Sequence, residues 1–464
     1  MAAATEAILH EAALGRLSRG DLEAARGLAV RAVGLNPLDE NHQALLIRLY
    51  RLAGDDVRAR AQHAACVQLF ADELGVSPGP AVEAALREAP AQRGREPTVD
   101  AVSVEALVEA GEAAISAGAV QAGVQSLRTA VRLADRAAHA RLRVASRLAL
   151  AEALIHSVGG LDEEGQAILH EADRIADADA DAAAVARARA ELGYVDYLRA
   201  RYDRAQLWLT DALRRGSRSP SIAAKAATYL GVVESDRANY PRAQDLLQTA
   251  IRQSRIADEP RRESYALSGL GRVSLLRGDL DRAVHQLTAS IHLAQRHHWL
   301  AFLPWPQSLL GEVHLLRGDT AAATEATGQA FARACQIGDP CWEGMSARGL
   351  GLLAEHDGEP DRAFDLLTDA RSRCTRLADP YVWLDVYILD ALCTLGLRYH
   401  HPSTDDWIGA MNEQASRTGM RELLVRGLLH KATRGRHRDG AAEAAALLAA
   451  AVDNPRLQLL IPRS

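Results

Sequence analysis

The chain has 464 residues, 48% of them hydrophobic, yet alanine dominates that fraction and only 4% are aromatic. Intrinsic propensity then favours helix over strand, and the expected class is all-α. A net charge of -6 argues against a surface built to grip a phosphate backbone, which needs concentrated cations, so direct nucleic-acid binding by this chain is not expected.

The first periodic feature is a pair of turn glycines, Gly20 and Gly54, 34 residues apart. Ala13, Ala25 and Ala32 stand in frame with the first turn, Ala59 and Cys66 with the second. Gly20-Asp21 places a permissive residue after one helix and a candidate N-cap before the next. Between the turns runs Asn36-Pro37-Leu38-Asp39-Glu40, followed by Leu45-Leu46. The stretch closes on Asp72-Glu73-Leu74-Gly75-Val76-Ser77-Pro78-Gly79-Pro80, a helix stopped by glycine and then held extended by two prolines. Ala89 to Thr98 is rich in Pro, Gly and charge without helical periodicity, and reads as a linker. The expected division is a first domain over 1–89 and a linker over 90–99.

A longer register follows over 100–395. Gly118, Gly160, Ala200, Ala238, Gly278, Gly318 and Gly358 succeed one another at 38 to 42 residues. Seven places before each turn stands a small residue: Gly111, Ala153, Gly193, Gly231, Gly271, Gly311 and Gly351. Five places after come Gly123, Gly165, Ala205, Ala243, Ala283, Ala323 and Ala363, and small residues return twelve places after. Small residues there let the two helices of a hairpin approach closely at their crossing, a packing demand and not a catalytic one. The pattern resembles the tetratricopeptide signature, and the expected architecture is a tetratricopeptide-like α-α superhelical solenoid. Its unit is longer than the usual 34 residues, which implies extra helical turns or longer connections. Asp279 and Asp319 are candidate N-caps, and Pro241 and Pro360 suit first turns.

Past residue 395 Tyr399-His400-His401-Pro402-Ser403-Thr404 replaces the short turn. The span 396–464 reads as divergent capping helices, with helix resuming over 406–417, 420–433 and 441–452.

Little chemistry accompanies this framework. No phosphate-binding glycine loop and no nucleophile on a motif with stated mechanics occurs, so the chain is read as no enzyme and as needing no cofactor. The Asp173, Asp177, Asp179, Asp181 run lacks the glycine and closing glutamate of a calcium loop, and the His297-His298 and His400-His401 pairs diverge on a helix, so no metal site is expected. Five cysteines without a C-x-x-C pair suit free thiols. The N-terminus lacks a signal peptide's basic flank, and no run reaches about 18 apolar residues, so the reading is a cytoplasmic protein without a membrane segment. What the frame does single out is the inner face of each first helix: Tyr194, Tyr197, Lys225, Thr228, Tyr265, Ser268, Arg272, Trp305, Ser308, Glu312, Arg348 and Glu355. Tyr, Trp and Arg anchor interfaces because they join apolar area to a polar tip, and these positions are the expected partner-binding groove.

On the strings quoted for residues 1 to 89, the first part of the chain resembles the bacterial transcriptional activator domain of the Streptomyces antibiotic regulatory protein family. His63 departs from it, standing where the family commonly has Tyr. Members carry an upstream winged helix-turn-helix that reads DNA, and the resemblance enters the activator module part-way, which implies that the DNA reader is not in this chain. The resemblance implies a regulator, or a fragment of one, whose repeats bind a protein or peptide partner such as a transcription regulator or an RNA polymerase subunit. A general scaffold or peptide-sensing protein unconnected to transcription stays open, as does a small-molecule sensor.

Overall fold

The computed structural model describes residues 2–18, 21–87, 101–116, 119–137, 139–158, 162–377, 380–435 and 440–461; Gly20, Gly118, Gly160 and the linker at 90–99 lie outside them. The described residues form 24 α-helices, one π-helical and one 3-10 segment, and no strand. The chain divides into two compact units, Met1–Thr98 and Val99–Ser464.

The first unit holds α1 (Ala2–Ser18), α2 (Leu22–Leu35), α3 (Glu40–Leu52), α4 (Asp56–Leu74) and α5 (Pro80–Arg87). Aspartates set the starts: the side chains of Asp21, Asp39 and Asp55 accept from Ala24 N, from Asn41 N and His42 N, and from Arg58 N, each satisfying amides a helix leaves orphaned. Gly75 stops α4 in the left-handed region at φ 66°. The in-frame small residues Ala13, Ala25, Ala32, Ala59 and Cys66 are all at most 1% exposed, with Ala13 and Ala25 packed among Leu45, Leu46 and Leu49, and Ala59 and Cys66 among Ile47 and Phe70. His63 lies against α5, its Nε2 3.0 Å from Glu83 Oε1.

The second unit is a succession of helical hairpins: α6 (Ala101–Ser116) with α7 (Val120–Ala137), α8 (Ala140–Ala153) with α9 (Asp162–Ala178), α10 (Ala182–Leu198) with α11 (Tyr202–Arg215), α12 (Pro220–Asp236) with α13 (Tyr240–Ile256), α14 (Pro260–Arg277) with α15 (Leu280–Arg296), α16 (Pro304–Leu316) with α17 (Thr320–Ile337), and α18 (Pro340–His356) with α19 (Pro360–Cys374). Helices α20 (Val382–Tyr399), α21 (Thr404–Thr418), α22 (Arg421–Arg434), α23 (Ala441–Ala449) and α24 (Pro455–Gln458) complete it. The long repeat is filled by added helical turns: α14 and α15 run for 18 and 17 residues.

The repeat frame is visible in the packing. A Cβ added to Gly193, Gly231, Gly271 or Gly351 would come within 2.8 Å of a leucine Cγ on the second helix of the hairpin, at Leu209, Leu247, Leu287 and Leu367. The small residues five places after each turn, Ala205, Ala243, Ala283, Ala323 and Ala363, are fully buried. The turns themselves are left-handed at Gly278, Gly318 and Gly358, and also at Ala200 and Ala238. Asp279 and Asp319 cap α15 and α17 by accepting from Arg282 N and Ala322 N.

Repeats in a solenoid ordinarily touch only their neighbours. Here the chain beyond α19 folds back onto repeats far upstream. Tyr381 reaches Tyr197 and Arg272, Tyr240 donates to Glu422, and Arg421 Nε donates to the Arg237 carbonyl at 2.8 Å. At the C-terminal end Asn454 Nδ2 donates to the Leu276 carbonyl at 3.1 Å, Arg277 pairs with Asp453 at 3.1 Å, and Arg456 lies against Gly278. One apolar core runs from Tyr197 in α10 to Leu457 in α24. The array from α10 onward is thus a closed loop, while α6 to α9 precede it with smaller cores of their own.

Candidate partner-binding face

The first helices of successive hairpins pack side by side, α8 on α10, α10 on α12, α12 on α14, α14 on α16 and α16 on α18. Residues six and three places before the small crossing residue, and one and four after it, therefore share the inner wall. In α10 these are Arg187, Ala190, Tyr194 and Tyr197; in α14 they are Tyr265, Ser268, Arg272 and Leu275.

A row of rings follows this wall. Tyr194 stacks near Tyr229 with centroids 4.5 Å apart, Tyr229 meets Tyr265 at 6.2 Å, Tyr265 meets Phe302 at 5.5 Å, and Phe302 lies on Trp299 at 4.2 Å and near Trp342 at 6.3 Å. Tyr194, Tyr265, Trp299 and Trp342 are half-buried, and Leu300 beside them is 52% exposed. Burial holds the hydroxyl of Tyr194 well above its usual range. So part of the apolar inner wall faces solvent.

Next to the row, Lys225 Nζ bonds Glu191 at 2.6 Å and Glu152 at 2.9 Å. Glu191 is fully buried and also meets His156 Nε2 at 2.8 Å. Burial alone would raise the Glu191 carboxyl, but Lys225 and His156 outweigh it and hold it far below the carboxylate range. His156 arrives through the π-helical segment Leu154–Val158 and stacks on Tyr194 at 4.8 Å.

Deeper in the loop lies a closed polar cluster. Arg272, 1% exposed, donates to Tyr381 Oη and to Asp236 Oδ1, both at 2.6 Å, with its guanidinium 4.5 Å from the Trp383 ring. Tyr202 and Tyr381 donate to Asp236 as well, and Tyr197 donates to Tyr381 Oη at 2.6 Å. Burial pushes the Asp236 carboxyl up to about 6 against the pull of these donors. One repeat pair further on, Arg348 forms a fork with Glu312 at 2.8 and 3.2 Å over the Tyr387 ring, and Tyr387 donates to Glu312.

The groove residues read from the repeat frame fall into two sets. Tyr194, Lys225, Tyr265 and Glu355 keep exposed surface, Lys225 within its two ion pairs and Glu355 paired with Arg398. Tyr197, Thr228, Ser268, Arg272, Trp305, Ser308, Glu312 and Arg348 are buried. Thr228 and Ser308 donate to Ala224 and Pro304 carbonyls in their own helices, and Trp305 packs on Trp342 at 5.3 Å. For Tyr197, Arg272 and Trp305 the physical reason is the fold-back, which sets Tyr381 against all three, while Tyr387 covers Glu312 and Arg348. Sequence reasoning did not single out Tyr381, Trp383, Asp236, Trp299 or Leu300. The one local signal was three rings within seven residues, Tyr381, Trp383 and Tyr387.

Two shallow cavities lie at the ends of the hairpins. One of about 340 Å³ is lined by Glu259, Pro260, Arg261, Arg262 and His297. The other, of about 360 Å³, lies at the fold-back between Gln206, Glu234, Arg237, Asn239, Arg242, Gly419 and Arg421. Among the described residues no three His, Cys, Asp or Glu side chains are grouped to hold a metal, and no helix is long and apolar enough to cross a membrane. All five cysteines are unpaired, Cys335 exposed and Cys66, Cys374 and Cys393 buried.

Comparison with known proteins bears on the two units differently. A family profile described as the bacterial transcriptional activator domain matches residues 1–89. No curated protein matches the chain. Among solved structures, a Rap protein complexed with competence and sporulation factor superposes with a TM-score of 0.56 at 11% identity, covering 78% of this chain and 100% of its own. Aspartyl phosphate phosphatase F from Bacillus subtilis gives 0.49 at 11% identity over 89% and 95%. A tetratricopeptide repeat protein from Parabacteroides merdae gives 0.37 at 14% identity over 58% and 93%. The chain thus joins a stretch that matches the bacterial transcriptional activator domain to a tetratricopeptide-like helical array.

Proposed function

We propose that the chain is a non-enzymatic transcription regulator, or part of one, that acts by binding a protein or peptide partner on the inner wall of its array. The observation that carries the reading is the activator-domain match at residues 1–89 in the same chain as the array. The half-buried rings Tyr194, Tyr265, Trp299 and Trp342, with exposed Leu300, support the inner wall as the binding face, since aromatic anchors in a concave site supply most interface energy. The shared fold of the Rap protein, whose structure holds competence and sporulation factor, agrees with a ligand-receiving array. DNA contact by the regulator would then come through another domain or a partner, in keeping with the net charge of -6.

The test is affinity capture with the full chain from its native host, beside the variant Leu300→Asp. Leu300 is exposed enough that the change leaves the core intact. Recovery of a transcription regulator or polymerase subunit by the parent, lost with the variant, is the expected result. Tight sequence-specific DNA binding by the chain alone at physiological salt sinks the indirect reading. Capture only of partners unconnected to transcription favours a general scaffold.

A further inference from the structure

The inner wall continues past the ring row into an acidic end. On α6, Glu105, Glu109 and Glu112 are all exposed, and their spacing of four and three places puts them on one helix face. Glu105 and Glu112 occupy the frame positions held by Lys225, Tyr265 and Tyr194 in later repeats, six before and one after the small residue. Among the described residues none of the three forms an ion pair with a cation. Burial and the carboxylates of Glu152 and Glu109 hold the Glu112 carboxyl above its usual value, with Arg187 pulling the other way. Beside the burial, the neighbouring carboxylates outweigh Arg187 at Glu112.

The path from that end to the rings is continuous. Glu152 on α8 acts on Glu112 and bonds Lys225, and Lys225 bonds Glu191, which meets His156 stacked on Tyr194. Lys225 is already matched by two carboxylates, so it neutralises nothing on α6. The wall therefore offers carboxylates at α6, Arg187 of α10 paired with Glu152 at 3.8 Å beside them, and apolar rings from α10 to α16.

Resting on the reading of the inner wall as the binding face, we infer that its partner is an extended polypeptide segment with arginine or lysine at one end and apolar side chains at the other. The cations lie along Glu105, Glu109 and Glu112, and the apolar side chains lie on Tyr194, Tyr265 and Leu300. Packed helices are roughly 8–10 Å apart, so α6 to α14 spans about 40 Å, which takes about twelve residues of extended chain. Charge sets the orientation and the encounter rate, while the rings supply the contact area.

The experiment uses the full chain and fluorescently labelled twelve-residue peptides. One joins Arg-Ser-Arg-Ser-Arg-Ser to Leu-Ser-Leu-Ser-Leu-Ser, in both orders of the halves; the comparators replace the arginines with serine or glutamate. Anisotropy titration is expected to show one order of the arginine peptide binding about ten-fold more tightly than the serine peptide, the sum of three modest exposed charge pairs, and the glutamate peptide binding most weakly. The triple substitution Glu105→Gln, Glu109→Gln, Glu112→Gln should abolish that preference and leave the serine peptide unchanged, whereas Leu300→Asp should weaken all of them. Equal affinity for the arginine and serine peptides, or a preference untouched by the triple substitution, overturns the charge assignment; the binding face itself survives that result if Leu300→Asp still weakens both. If no peptide binds, the inference falls together with the reading on which it rests.

Discussion

Ala200 and Ala238 follow α10 and α12 with φ of 52° and 58°, in the left-handed region where a Cβ crowds the following carbonyl at a cost of roughly 1–2 kcal/mol. The equivalent turns at Gly278, Gly318 and Gly358 avoid that cost. Ala200→Gly and Ala238→Gly should each stabilise the protein by about 0.5–1 kcal/mol once glycine's larger unfolded-state entropy is offset, read as a raised urea midpoint with an unchanged slope. Titration behaviour is set at the same scale. Burial alone would raise the carboxyl of Asp390, but Arg426 and His430 outweigh it and lower it to about 2. Its contribution, roughly 2 kcal/mol by linkage from an unfolded value near 4, is present above that unfolded value and lost as pH falls through 2. Asp390→Asn should therefore flatten the acid limb of stability between about pH 4 and pH 2, measured by denaturant titration across that range. Asp236 has the opposite sign: with a folded value of about 6, it favours folding below its unfolded pKa, and that benefit is lost as pH rises through the folded value.

At the scale of the helix pair, the crossing glycines decide how closely the two helices of a hairpin approach. Gly231 and Gly271 sit mid-helix, where alanine would otherwise be favoured by nearly 1 kcal/mol, yet an added Cβ would stand 2.7 and 2.6 Å from Leu247 and Leu287 Cγ. Overpacking should win, so Gly231→Ala or Gly271→Ala is expected to destabilise by about 1–3 kcal/mol, visible as a lower melting temperature. Gly328, with open space around it on α17, is the control at which alanine should stabilise. These crossings were legible in the sequence because each repeat states the same local demand in the same frame, and the aspartate caps and first-turn prolines were legible for the same reason. The inner face could be numbered from that frame as well. Which of its residues stay exposed could not, because curvature accumulates from small rotations per repeat and the roof over Arg272 comes from Tyr381, 109 residues away. No periodic signal encodes such a contact. Nor did anything in the sequence mark the π-helical segment Leu154–Val158 that carries His156 to Glu191.

For the second unit as a whole, the decisive feature is the return of α22 to α24 onto α13 and α14. Removing residues 441–461 takes away Asp453, Asn454 and Leu457, and with them the bonds to Arg277 and the Leu276 carbonyl. Hydrogen exchange should then rise in α13 and α14, some 180 residues upstream, while α6 and α7 stay as protected as before. In a simple array the loss would stay local to the deleted end, so equal protection in α13 and α14 would count against a closed loop. Closure also changes how the protein would bear load. A solenoid pulled at its ends gives way like a zipper, one repeat after another. Here the chain between α10 and α24 is tied across its own span, so tension would peel the leading hairpins α6 to α9 singly and then meet a knot of contacts that must break together, giving a train of small force steps followed by one large one.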